Sequence, residues 1–168
     1  METVLTLSLG GFPPLSARGC EQILKPIKLG QMQRTINGEL IHLGSQALKY
    51  QSVIKAKDRT VLALNGLCPG VVVKVGCVQP LWERIENTGN AYHLMRDAVV
   101  SSIAVIDSEQ NAVDFSTEGN TIYIEDETKG LEVFVTYRPE LTMRVLDFLI
   151  KTNEWTFESS WELSLEEI

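Results

Sequence analysis

The clearest pattern in the chain lies at its C-terminus. Trp155, Phe157, Ser159, Trp161, Leu163 and Leu165 alternate strictly with Thr156, Glu158, Ser160, Glu162, Ser164 and Glu166. A period of two puts the first set on one face of a strand and the polar set on the other. It also pins the register, because a slip of one residue would turn every side chain to the wrong face. Upstream, Leu141, Met143 and Val145 share a face, and Phe148 and Ile150 resume the apolar row after a change of parity. That change predicts a bulge near Leu146. Asn153-Glu154 is the expected turn of this long final hairpin.

Strand signals recur from Gln33 onward. Asn37-Gly38 sits between Arg34-Thr35-Ile36 and Glu39-Leu40-Ile41-His42-Leu43, a spacing that suits a two-residue type I′ turn. Tyr50 to Lys55, the β-branched run Val71 to Val78, Ala98 to Ile106, Val113 to Ser116 and Thr121 to Glu125 read as further strands. Gly119-Asn120 is a turn, Asp126 to Gly130 a polar turn, and Leu131 to Tyr137 alternates as a half-buried strand does. No convincing amphipathic helix is present; short helical turns near Leu62 or Leu94 are the most that is expected. The pattern predicts a mainly antiparallel β-barrel or sandwich.

Two segments break the rhythm. Residues 1–30 carry Gly10-Gly11, Pro13-Pro14, Gly19, Pro26 and Gly30 and show no clear period. Proline withholds a ladder hydrogen bond, so a regular central strand is not expected there. The segment reads as an irregular N-terminal arm, extended or hugging the surface, ahead of a single domain at 31–168. Residues 79–97, with Pro80, Trp82, Asn87-Thr88-Gly89-Asn90 and Tyr92, read as a long loop. Loops of that length tend to be functional or to touch a partner.

A chain of 168 residues, 44% hydrophobic and 22% charged, is long enough for one sizeable core and ordinary in composition. Its net charge of -7 argues against a protein that grips nucleic acid, which needs clustered Lys and Arg. No stretch is apolar for long enough to cross a bilayer as a helix. Glu2 stands where a signal peptide would carry basic residues, so synthesis in a cytoplasm is expected. Cys20, Cys68 and Cys77 have neither CxxC nor zinc-knuckle spacing and are expected as buried or half-buried thiols.

Catalytic chemistry finds little to stand on. The two histidines, His42 and His93, have no nucleophile motif beside them. HExxH, HxH and EF-hand spacings are missing, so no metal site is predicted. Gly10-Gly11 and Gly66 to Gly70 lack the Lys-Ser/Thr of a phosphate loop. Glu125-Asp126-Glu127 and Glu166-Glu167, at a turn and a chain end, read as solvated charge. The expectation is a non-enzymatic protein with no catalytic, cofactor or metal residues.

Two stretches do more than specify strands. One runs from Arg34-Thr35-Ile36-Asn37-Gly38-Glu39 through Leu48-Lys49-Tyr50 to Cys68-Pro69-Gly70-Val71. The other is Tyr137-Arg138-Pro139-Glu140, followed by Asn153-Glu154-Trp155 and Trp161-Glu162-Leu163-Ser164-Leu165-Glu166-Glu167. Together they resemble small structural proteins of tailed bacteriophages, especially contractile-tailed ones, over much of residues 33–168. The usual acid-Glu-Trp turn reads Asn153-Glu154-Trp155 here. The resemblance implies a tail-tube-type β-barrel in the tube or at its junction with the baseplate, part of a virion put together in the host cytoplasm. It implies rings, most often sixfold, whose inner strands continue from subunit to subunit around a channel for DNA. Other tail or baseplate proteins would be neighbours, and DNA would pass without sequence-specific binding. An acidic lumen would repel the DNA backbone.

Within such an assembly Trp82, Tyr92, Trp155, Phe157 and Trp161 are the candidate interface residues, with core the first role expected of the Trp155–Trp161 hairpin. The competing expectations are a small β-barrel ligand binder or enzyme with a pocket near His42 or His93, and a carbohydrate binder at the tail tip.

Overall fold

A computed structural model describes residues 3–27, 30–44, 48–85, 91–124 and 132–168. Among these residues there is no helix, and all strand pairing is antiparallel. The chain is an all-β protein. The strands are β1 (Thr6–Leu7), β2 (Glu21–Pro26), β3 (Gln31–Arg34), β4 (Leu40–Leu43), β5 (Tyr50–Asp58), β6 (Val72–Gly76) and β7 (Leu81–Ile85). They continue with β8 (Ala91–His93), β9 (Ala104–Asp107), β10 (Phe115–Glu118), β11 (Thr121–Ile124), β12 (Val133–Tyr137), β13 (Glu140–Asn153) and β14 (Glu158–Glu167).

Six strands form the main sheet in the order β1-β6-β13-β14-β5-β2. The alternation of β14 does what its period dictates. Ser159, Trp161, Leu163 and Leu165 are buried, and Glu158, Ser160, Glu162, Ser164 and Glu166 look the other way. The bulge lies where the change of parity puts it, between Val145 and Asp147, and keeps both apolar halves of β13 on the inner face.

The inner face, with Ile54, Ala56, Val73, Val75, Met143, Trp161, Leu163 and Leu165, must be covered to be stable, and the N-terminal segment covers it. Leu5, Ser16 and Ala17 are buried, Leu7, Leu9 and Phe12 pack on the same core, and Trp161 Nε1 donates to Ser16 O at 2.7 Å. Residues 3–20 are therefore packed against the chain's own sheet rather than extended from it. β2 sits at the sheet edge with Pro26 at its last position, where a missing N–H costs least.

A second core lies between two three-stranded sheets, β10-β11-β8 and β7-β12-β9. It joins Ile85, Val105, Ile122, Ile124, Val133, Val135 and Tyr137. This corrects the expectation of a long loop over residues 79–97. Leu81–Ile85 pairs with β12 and Ala91–His93 pairs with β11, while the Asn87 to Asn90 stretch falls outside the described residues, as do Asp126 to Gly130. Pro80 precedes β7 rather than interrupting it, so it does not prevent pairing.

Ala98 to Ile106 is the opposite correction. Only Ala104–Asp107 is a strand, because Ser101 has φ 63° and Ser102 Oγ bonds back to Val99 O at 2.6 Å, closing a local turn.

The first hairpin also differs in detail. β3 and β4 pair, but Gly38 has φ 83° and Asn37 is not in the left-handed region, which a type I′ turn would require of both. Thr35 and Glu39 close the connection through Thr35 N to Glu39 O at 2.9 Å, leaving three residues in the loop. Gly119-Asn120 is a two-residue turn between Glu118 and Thr121 with only Gly119 at positive φ, the signature of type II′.

Candidate assembly surfaces

The candidate aromatic residues divide by position. Trp161, 2% exposed, fills the first core and stacks at a tilt on Phe12 with ring centres 6.4 Å apart. Trp155 and Phe157 belong to the same alternating row but lie beyond the ladder. Asn153 pairs with Glu158, so four residues form the turn, not two. Asn153 Oδ1 accepts from Trp155 N at 2.9 Å and Thr156 N at 3.4 Å, and Phe157 has φ 53°. This Asx turn ends the strand early and leaves Trp155 91% and Phe157 81% exposed, so neither supplies core.

Trp82 and Tyr92 are not brought together. Trp82 is exposed on the outer face of β7. Tyr92 turns inward, and its hydroxyl donates to Glu83 Oε2 at 2.8 Å. Tyr137, fully buried on β12, donates to Oε1 of the same carboxylate. Burial first, then the hydrogen bond to Glu83 and its charge, push the Tyr92 hydroxyl up to about 12 and that of Tyr137 further, so both remain donors.

Several features were not visible in the sequence. The β3–β4 hairpin was expected, but not that among the described residues it joins no other strand and has every residue of both strands exposed, including Met32, Leu40, Ile41 and Leu43, with Ile36 at its tip. Arg96 forms a two-point ion pair with Glu167, Nε–Oε1 at 3.1 Å and Nη2–Oε2 at 3.2 Å, and lies over the Tyr50 ring at 4.7 Å. Glu167 Oε2 also accepts from Tyr50 N at 2.7 Å, so this cluster ties the segment after β8 to the last strand. At the other end of the sheet Arg18 grips Asp58, Nη2–Oδ1 at 2.7 Å and Nε–Oδ2 at 3.0 Å. The Arg18 hydrogen bond holds the Asp58 carboxyl well below its ordinary range, against the opposing effect of burial.

The outer face of the main sheet carries both signs of charge in cross-strand pairs. Lys55 meets Glu162 at 3.0 Å, Lys57 meets Glu158 at 2.8 Å and Lys74 meets Glu140 at 3.2 Å. A shallow concavity of about 300 Å³ on the sheet draws on residues from both sides, among them Glu21, Lys55, Leu149, Lys151 and Glu162. The net charge of -7 is thus not concentrated on this face.

The histidines stand apart from such groups. His42 is exposed on β4, and His93 Nδ1 lies 3.4 Å from Thr121 Oγ1. Among the described residues no cluster of three or more His, Cys, Asp or Glu is arranged to hold a metal. All three cysteines are free: Cys77 is buried, its thiol pushed up to about 11 chiefly by that burial, Cys20 is half-buried, and Cys68, contrary to expectation, is exposed.

The geometry describes an all-β protein in which, among the described residues, the main sheet ends at β2 on one side and, beyond the bulge, at the second half of β13 on the other. No protein-family model matches the chain, and no curated protein matches it by sequence.

Proposed function

We propose that this chain is a structural, non-enzymatic subunit that assembles with copies of itself into a ring, as part of a bacteriophage tail tube or its junction with the baseplate. The observation that carries the reading is the main sheet, which among the described residues is open along β2 on one side and along the second half of β13 on the other. Exposed edges invite further strands, and proteins that must stay monomeric cover or blunt them. Cyclic association of identical subunits buries both edges at once.

The exposed aromatic turn at Trp155 and Phe157 and the apolar β3–β4 ribbon add surface for neighbours above or below such a ring, which in a tail would be other tube or baseplate proteins. The phage assignment rests on the sequence resemblance of the Tyr137-Arg138-Pro139 and Trp161 to Glu167 segments. DNA would pass through without specific contact, over a lumen of mixed rather than purely acidic charge if the outer face of the main sheet lines it.

Electron microscopy and sedimentation of the purified protein over a range of concentrations test the reading. Rings or stacked rings are expected, and His42→Ala and His93→Ala should leave them intact. A monomer that persists at high concentration and binds a small molecule or glycan would overturn it.

A further inference from the structure

Beyond the bulge the main sheet narrows to four strands, β13-β14-β5-β2. β6 pairs with β13 only over Glu140 to Arg144, and from Asp147 to Asn153 β13 has β14 on one side and, among the described residues, no strand on the other. β2 is the terminal strand of the opposite edge. Three antiparallel steps separate β13 from β2, so the two edge strands run in opposite directions. A second copy set beside the first in the same orientation therefore offers its β13 to β2 as an antiparallel partner, the stronger pairing mode.

The side chains on the outer face of the two edges match. On β2 the order is Glu21, Ile23, Lys25, facing the same way as Lys55 and Gln51 beside them. On β13 it is Asp147, Leu149, Lys151, facing the same way as Glu162 and Ser160. Both edges read acid, apolar, base. Antiparallel alignment puts Glu21 opposite Lys151, Ile23 opposite Leu149 and Lys25 opposite Asp147, whereas parallel alignment would oppose like charges.

Slipping the register by two residues, the smallest shift that keeps the faces, loses every one of these charge pairs. On the inner face the same register brings Leu24 opposite Phe148. Pro26, which has no N–H to donate, falls opposite Leu146, where the bulge already interrupts the ladder. Within the sheet, Lys55, Lys57 and Lys74 all have carboxylate partners on neighbouring strands. Among the described residues Glu21, Lys25, Asp147 and Lys151 form no ion pair. The cross-strand charge pattern stops where a next subunit would continue it.

We infer that β2 of one copy pairs antiparallel with the second half of β13 of the next, in the register Glu21–Lys151, Ile23–Leu149, Lys25–Asp147. The inference rests on the self-assembly reading above and supplies its contact. β2 could also face a second β2, opposing Glu21 to Lys25, but that contact leaves β13 uncovered. The β2–β13 contact covers both edges with a single interface and turns every aromatic tip the same way, as a ring demands.

Cross-linking in a Cys68→Ser background, which removes the exposed thiol, tests it. Ile23→Cys and Leu149→Cys proteins, mixed before assembly and treated with a short thiol-reactive linker, should give a cross-linked pair only in the mixture. Glu21→Lys should raise the concentration needed for assembly by about fivefold, and Lys151→Glu in the same chain should restore it. Cross-linking of Ile23→Cys to itself would overturn the inference in favour of a same-edge contact. Assembly without the mixed cross-link and without charge rescue would overturn the register while leaving self-assembly standing. Failure to assemble at any concentration would overturn the self-assembly reading and the inference with it.

Discussion

The Trp161 indole is held at both of its ends. Its ring packs in the first core, and its one donor is spent on Ser16 O, which anchors the N-terminal segment to the sheet. Trp161→Ala should cost about 3–5 kcal/mol by the usual scale for buried aromatics, read as a drop in the midpoint of urea unfolding. Trp155→Ala, at an exposed turn, should stay within about 0.5 kcal/mol in the same measurement.

Asp58 gives a pH signature. Its folded-state ionisation lies below the ordinary value of 3.8, so the carboxylate form stabilises the fold. That contribution is complete above the unfolded value and disappears as pH falls through it toward the depressed folded one. The difference in melting temperature between the native protein and Asp58→Asn should therefore be flat from neutral pH to about 5 and shrink below 4.

At the scale of the element, β14 and the β3–β4 ribbon are opposites. β14 lies between β13 and β5, paired along nearly its whole length, with one face buried. Among the described residues the ribbon pairs only with itself, and a lone two-stranded hairpin is marginal in water. Its apolar side chains contribute little to the stability of the rest. Changing Ile36 and Leu40 to Thr should leave the unfolding midpoint within experimental spread. If the ribbon meets a neighbour, the same change should weaken assembly by sedimentation. Truncation before Trp155 has the reverse character, since it removes β14 and exposes Ile54, Met143 and Val145, and the remainder should fail to fold by circular dichroism.

The whole molecule is two cores joined by polar clamps. Arg96 reaches from the segment after β8 to Glu167 at the end of β14, and Arg138 Nη1 donates to Val4 O at 2.7 Å. A partly buried, two-point pair contributes geometry as much as energy, and here it fixes the small sheets against the large one. Among the described residues that arrangement covers neither edge of the four-stranded section, as the proposed ring requires.

Much of the fold was legible from residue periodicity alone, because a strand with one buried face must alternate. The rows of β12, β13 and β14 and the bulge near Leu146 follow directly from that constraint, and the turn at Gly119-Asn120 from the backbone freedom of its glycine. Local chemistry already overrode the pattern at Ser101-Ser102 and at Asn153, where side-chain hydrogen bonds end a strand that hydrophobicity would continue. The class was therefore written in the chain: antiparallel β, with Trp161 in the interior. Which strands are neighbours was not, since pairing between β2 and β5, or β13 and β6, joins residues far apart in sequence whose patterns fit many partners. Only the tertiary structure decided that, among the described residues, β2 and the second half of β13 are left as edges, and so put Glu21, Lys25, Asp147 and Lys151 along them.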